Sequence, residues 1–226
     1  MGSLQSHASA GLGPHVLMLS VCGAGRSSLL DRIKNGRIGP TVPTVGFCCE
    51  AIRHRGASFT LWDVGGGWSH SRSLCNNVHG VVFVVDSSDR SLLPMARRVL
   101  ENLSMDERLH DAFFLVLANK QDLPDAADVG EIFDELQLGR LCSRAWVALP
   151  CSALTGQGMG EAMRWLAARC KLRWRGIGDQ KSKTGSFQGN RFPPLFLKVI
   201  SLLGFKLFSH RQSELWAVKK KEKKEH

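Results

Sequence analysis

Four stretches of this chain are apolar without a break: Val16 to Leu19, Gly80 to Val85, Ala112 to Ala118 and Trp146 to Leu149. Continuous runs of this kind predict strands buried on both faces of a parallel sheet. Thr44 to Ile52 and Ser58 to Val64 flank His54-Arg55-Gly56, which predicts two further strands joined by a hairpin turn. Elsewhere the apolar positions fall into helical spacing at Leu29, Leu30 and Ile33, and again at Leu92, Met95, Val99 and Leu103. Two more helices are predicted over about Val129 to Leu136 and about Gly160 to Leu172. Strand and helix thus alternate. Alternation predicts the α/β class, a doubly wound and mostly parallel sheet of about six strands, with the loops after each strand gathered at one edge.

The residues at those strand ends carry the candidate chemistry. After the first strand the chain reads Ser20-Val21-Cys22-Gly23-Ala24-Gly25-Arg26-Ser27-Ser28. A tight turn of small residues opening a helix points successive backbone N–H groups into one concavity at the positive end of the helix dipole, which suits a polyphosphate. The phosphate-loop pattern is G-x-x-x-x-G-K-[ST]; Ser20 replaces its first glycine and Arg26 its lysine, so an ordinary strand-to-helix turn is the competing reading. Asp63 ends a strand and precedes Gly65-Gly66-Gly67. A carboxylate there either meets a phosphate-bound Mg²⁺ or simply caps its strand. Asn119-Lys120-Gln121-Asp122 is the most specific signal. A carboxylate accepts two N–H bonds from a guanine edge while Asn and the Lys stem hold the ring, and an adenine edge would present an acceptor to it and be rejected.

Charge and the chain ends add membrane chemistry to this picture. The net charge of +10 is confined to the tail: residues 1–170 hold 16 Lys/Arg and 16 Asp/Glu, whereas 171–226 hold 14 and 4. A neutral body with a basic extension suits a membrane surface or an acidic partner, and it disfavours nucleic acid because the tail lacks interleaved aromatics. Seven cysteines with no C-x-x-C spacing predict a reduced cytosolic chain without a zinc site, and nothing at the N-terminus reads as a secretory signal. Met1-Gly2-Ser3-Leu4-Gln5-Ser6 fits the pattern for myristoylation of Gly2. One myristoyl chain anchors only marginally, so a second membrane signal is needed. Residues 176–190 read as a flexible linker. The apolar run from Pro193 to Phe208 is too short to span a bilayer, and with Lys219 to Lys224 it either lies in a membrane interface or is a disordered extension.

Taken together, these residues resemble those of ADP-ribosylation-factor-like (Arf/Arl) small GTPases. The resemblance covers residues 1 to about 172. It is carried by the N-terminal Gly2 pattern, the phosphate loop, Pro43-Thr44-Val45-Gly46-Phe47, Trp62-Asp63-Val64-Gly65-Gly66, Val84-Val85-Asp86-Ser87, Asn119-Lys120-Gln121-Asp122 and Cys151-Ser152-Ala153-Leu154. It implies the phosphate-loop small-GTPase fold, with a lipid-anchor segment at 1–14, the GTPase domain at 15–172 and the linker and tail at 173–226. It implies GTP or GDP held by Gly23, Ala24, Gly25, Arg26, Ser27 and Ser28, with Mg²⁺ on Ser27 and Thr44 beside Asp63. Gly66 would sense the γ-phosphate, and Asn119, Lys120, Asp122 and the Ser152-Ala153 backbone would read guanine. A peripheral membrane switch in the cytoplasm follows, with effector and exchange-factor proteins as partners.

Three departures bear on activity. Arg26 stands where the family has lysine, and a planar guanidinium is not an equivalent of an ammonium inside a closed loop, so nucleotide affinity should fall. Gly67 stands where the family has the glutamine that orients the attacking water, so hydrolysis should be weak or absent. From Gly67 to His79 the chain lacks the family's charged and aromatic pattern and is about three residues shorter. A degenerate fold acting as a nucleotide-independent interaction module is therefore the alternative.

Overall fold

The computed structural model describes residues 13–39, 47–65, 78–141 and 145–181. In chain order its elements are strand β1 (His15–Ser20), helix α1 (Arg26–Asn35), strands β2 (Phe47–His54), β3 (Ala57–Val64) and β4 (Val78–Asp86), and helix α2 (Leu93–Met105). Strand β5 (Phe113–Asn119), helix α3 (Val129–Glu135), strand β6 (Trp146–Pro150) and helix α4 (Met159–Lys181) follow. The six strands form one sheet in the order β2-β3-β1-β4-β5-β6. Only β2 runs antiparallel to its neighbour; β3, β1, β4, β5 and β6 pair in parallel.

Period-two alternation explains why the central strands are apolar throughout. Leu17 and Leu19 of β1, Val81, Phe83 and Val85 of β4, and Phe114, Val116 and Ala118 of β5 face one layer, which α2 and α3 close with Leu93, Leu100, Leu103 and Ile132. The intervening Val16 and Met18, Val82 and Val84, and Phe113, Leu115 and Leu117 face the opposite layer, closed by Leu29 and Leu30 of α1 and by Ala162, Met163, Leu166 and Cys170 of α4. Each helix is thus held by a strip of apolar side chains about one face wide. Burying a Leu or Phe side chain contributes roughly 1.5–3 kcal/mol, so these two layers dominate the stability. Gly80 marks close packing: a β-carbon there would come within 2.1 Å of the Phe113 ring, which itself meets Trp165 edge to face at 5.7 Å.

Element types agree with the sequence pattern, and three boundaries move. The hairpin turn narrows to Arg55-Gly56, both at positive φ, and His54 joins β2 opposite Ala57. The helix expected from the spacing of Leu92, Met95, Val99 and Leu103 begins at Leu93, with Leu92 in a short 3-10 turn at Arg90–Leu92, where the Asp89 carboxylate accepts from the Ser91 N–H. The last helix, expected to end at Leu172, continues to Lys181 through the start of the stretch read as a linker. Its apolar strip onto the sheet stops at Cys170, and Leu172 and Trp174 beyond it are exposed. Among the described residues no helix is long and apolar enough to cross a membrane.

Candidate functional site

The parallel strands β1, β3, β4, β5 and β6 deliver their C-terminal ends to one edge of the sheet, and the sequence-predicted residues gather there in two groups. In an open α/β sheet that edge is where ligands bind. One group is the turn between β1 and α1. Gly23 and Gly25 hold it with φ of 78° and 83°, a conformation that side chains with a β-carbon rarely adopt. Gly25 is the N-cap of α1, no side chain caps the helix, and its first turn contains no acidic residue. Neither a capping side chain nor an acidic residue in the first turn compensates the positive end of the helix dipole here. Gly25 is also required sterically, since a β-carbon would lie 2.6 Å from the Asn119 side-chain nitrogen.

The second group surrounds the end of β5. Asn119, 1% exposed, is a three-way junction. Its Nδ2 donates to the Ala24 carbonyl at 2.8 Å, while its Oδ1 accepts from the Ala153 N–H at 2.9 Å and from the Cys151 thiol at 3.7 Å. One amide thereby ties the β1–α1 turn to the loop after β6. Lys120 follows with φ of 68° and pairs through Nζ with Asp86 at the end of β4. Burial pushes the Asp86 carboxyl up, but the Lys120 hydrogen bond and the two Ser88 bonds, at 3.0 and 2.6 Å, outweigh it and hold the pKa below the ordinary value. Asp122 accepts from the buried Ser152 hydroxyl, which in turn accepts from the Thr155 N–H at 3.0 Å. Burial pushes the Cys151 thiol up to about 12, so it stays protonated and serves as a donor.

At the phosphate-loop end the arrangement differs from the expectation. Ser27 and Asp63 do come together, with the Ser27 hydroxyl donating to Asp63 Oδ2 at 3.2 Å. The other carboxylate oxygen is held by Arg26 Nε. Arg26 Nη1 lies 3.5 Å from the Ser20 hydroxyl. The guanidinium is thus turned toward the ends of β1 and β3, and the two residues that depart from the phosphate-loop pattern are neighbours of each other. Ser28 sits half-buried in the first turn of α1. The oxygen donors expected for Mg²⁺ are present at Ser27 and Asp63, but one oxygen of the Asp63 carboxylate is held by a fixed cation, and the group does not fit that metal in this arrangement. Thr44, Gly66, Gly67 and the myristoylation candidate Gly2 lie outside the described residues.

Sequence reasoning missed two members of the site. Asp86 was visible in the run Val84 to Ser87, yet its pairing with Lys120 spans 34 positions and has no spacing signature. Arg32 of α1 donates through Nε to the Ala153 carbonyl and through Nη2 to that of Leu154, holding the loop after β6 against the helix. Its partners are backbone carbonyls, which no side-chain pattern announces. Gly156, at φ of 86°, leaves room for it, since a β-carbon would lie 2.9 Å from Arg32 Nη1.

Comparison with known proteins agrees with this fold. The fold is similar to that of the Arl6 (BBS3) small GTPase from Trypanosoma brucei, whose structure holds the nucleotide analogue GppNp. The TM-score is 0.64 at 24% identity, over 70% of this chain and 98% of that one. A sequence model of the ADP-ribosylation factor family matches residues 3–170. With the match spanning most of its length and all six strands of its sheet, the chain belongs to the ADP-ribosylation factor family of small GTPases.

Proposed function

We propose that this protein is a guanine-nucleotide-binding switch of the Arf type with weak or absent GTP hydrolysis, acting in the cytoplasm at a membrane surface. Family membership supports nucleotide binding in general. The observation that carries guanine in particular is the Asn119 junction, which brings the β1–α1 turn, Asp122 and the Ser152-Ala153 loop to one place, with backbone N–H groups at one end and a carboxylate at the other. A purine nucleotide lying along that line meets its phosphates on the helix terminus and its N–H edge on Asp122. The Gly2 pattern and the basic tail support the membrane, through the two-signal requirement for stable anchoring. Effector and exchange-factor proteins are the partners such a switch needs.

Weak hydrolysis rests on Gly67, which has no side chain to orient water. The nucleotide-independent interaction module remains the second reading, and the Arg26–Asp63 pair favours it, because it closes one side of the phosphate end with protein charge.

Substitution of Asp122 by Asn separates the two. An amide presents a donor where the carboxylate accepts, so Asp122→Asn should shift preference from guanine to xanthine nucleotides in competition binding. Lost charge-assisted hydrogen bonds of about 1.5–3 kcal/mol each correspond to a fall in GDP affinity of roughly 10²-fold or more. Unchanged guanine binding in the variant would remove Asp122 from the site, and an absence of binding in both proteins would leave the interaction module.

A further inference from the structure

Arg26 and Ser20 look in the sequence like two independent losses from the phosphate loop, but in the structure they form one unit with Asp63. The guanidinium donates through Nε to Asp63 and reaches the Ser20 hydroxyl through Nη1 at 3.5 Å. Asp63 is 1% exposed and the Arg26 side chain 12%, so this pair is enclosed and not a solvated contact. We propose that the Arg26 guanidinium is the built-in cation of this site, standing where Mg²⁺ is expected, and that the chain binds guanine nucleotide without a divalent metal. The inference rests on the nucleotide-binding reading above.

The argument turns on Asp63. Mg²⁺ demands near-octahedral oxygen coordination and usually keeps waters that neighbouring carboxylates hold. A hydroxyl directed at Asp63, as that of Ser27 is, still has lone pairs to offer a metal, so Ser27 does not decide the matter. Asp63 does, because one of its oxygens accepts from Arg26 and the other from Ser27. A metal or its bound water can reach the remaining lone pairs of this carboxylate only alongside the guanidinium, which sets a poorly hydrated cation against a dication in a confined space. A lysine escapes such a conflict by moving its flexible ammonium onto the phosphates or by losing a proton. Arginine has neither so compact and freely turning a head group nor an accessible neutral form. The planar fork also matches a carboxylate better than an ammonium does, which favours the pair over its separation. Ser20 contributes what glycine would not, a hydroxyl that accepts from the far side of the guanidinium and fixes its direction. The phosphate end is then a cradle of backbone N–H groups whose neighbouring acid is already neutralised, and a metal is not needed to bring a negative ligand close to it.

The test is equilibrium binding of fluorescent GDP and GTP analogues to the full chain, in millimolar MgCl₂ and in excess EDTA, for the wild type and Arg26→Lys. Mn²⁺ titrated into the nucleotide complex and followed by its electron paramagnetic resonance signal reads metal occupancy directly. The wild-type affinities should differ by less than about threefold between the two buffers, and the wild-type complex should hold Mn²⁺ no more tightly than free nucleotide does. In Arg26→Lys, removal of the metal should weaken binding at least about tenfold, and Mn²⁺ should become protein-bound. Wild-type binding that falls about tenfold or more in EDTA, or tight Mn²⁺ in the wild-type complex, overturns the inference and leaves the guanine-binding reading intact. Nucleotide binding in neither buffer overturns both. Should Arg26→Lys fail to fold, the two wild-type measurements decide alone.

Discussion

The base end and the phosphate end of this site were built under different constraints. Around Asn119, Lys120, Asp122 and Ser152, each of these side chains has a protein partner that holds it in place, and the motif residues are those of the family. At the phosphate end, by contrast, two residues that depart from the family pattern, Arg26 and Ser20, contact each other and turn a positive side chain onto Asp63. Gly23 and Gly25 keep the left-handed conformations that a phosphate cradle uses, and α1 starts without a side-chain cap. Thus the scaffold of the phosphate end survives a change in its charge, because glycine geometry and helix dipole belong to the main chain while the fixed cation belongs to one side chain. A motif can be degenerate in its letters and intact in its backbone.

The largest expected effect strikes the junction that joins the two ends. Asn119→Ala removes the partner of the Ala24 carbonyl, the Ala153 N–H and the Cys151 thiol at once, leaving two buried backbone groups and one weak thiol donor unpaired. At about 1–3 kcal/mol for each backbone group, the loss is about 2–6 kcal/mol, read as a fall of roughly 5–20 °C in thermal midpoint. A shift under about 2 °C would show that water replaces the amide and that the two ends are not mechanically joined.

A smaller effect separates the ends from each other. Arg26→Lys frees one charge for the phosphates and should tighten GTP binding in Mg²⁺ by roughly tenfold, leaving the preference for guanine over adenine unchanged. Single-turnover hydrolysis should stay low in Arg26→Lys, in Gly67→Gln and in the wild type, because phosphate placement and water placement are separate requirements. Full rescue by Gly67→Gln alone would mean that Arg26 leaves the phosphates correctly placed. An altered base preference in Arg26→Lys would mean that the two ends are not separable.

The smallest effect lies at the opposite edge of the sheet and serves as a control. His15 at the start of β1 accepts from the Trp62 indole N–H through Nδ1 at 3.1 Å, and burial lowers its pKa from 6.5. The unfolded chain therefore takes up a proton that the folded one resists. Stability is present above the unfolded pKa and declines as pH falls through it toward the folded value. Thermal melts from about pH 7.5 to about pH 5 should show that decline, and His15→Asn should flatten it without altering nucleotide selectivity. An unchanged slope in the variant would assign the acid sensitivity to other groups.

How much of this was legible in the sequence follows from which interactions are local. The alternation that sends Leu17 and Leu19 to one layer and Val16 and Met18 to the other is written in consecutive residues, and so the strands and the sheet class could be read directly. The Asn119 to Asp122 group is a contiguous motif and could be singled out from four consecutive residues, whereas the partners that hold it come from distant parts of the chain. Arg26 was visible as a departure, but its direction was not, because Asp63 lies 37 positions away and competes with the ligand for the same side chain. Arg32 was invisible for a similar reason: it binds carbonyls more than a hundred residues distant, and every residue has a carbonyl. The end of α4 was misjudged because Gly176 and Gly178 read as linker, whereas the helix runs through them.

The central claim is that the Asn119 junction and Asp122 hold a guanine nucleotide despite the altered phosphate loop, and native mass spectrometry of the purified full chain tests it most directly. The account predicts a mass shift equal to GDP or GTP on the wild type, lost on Asp122→Ala and retained on Arg26→Lys. A wild-type protein that emerges bare, and that takes up neither GDP nor GTP when either is added in excess, would contradict it.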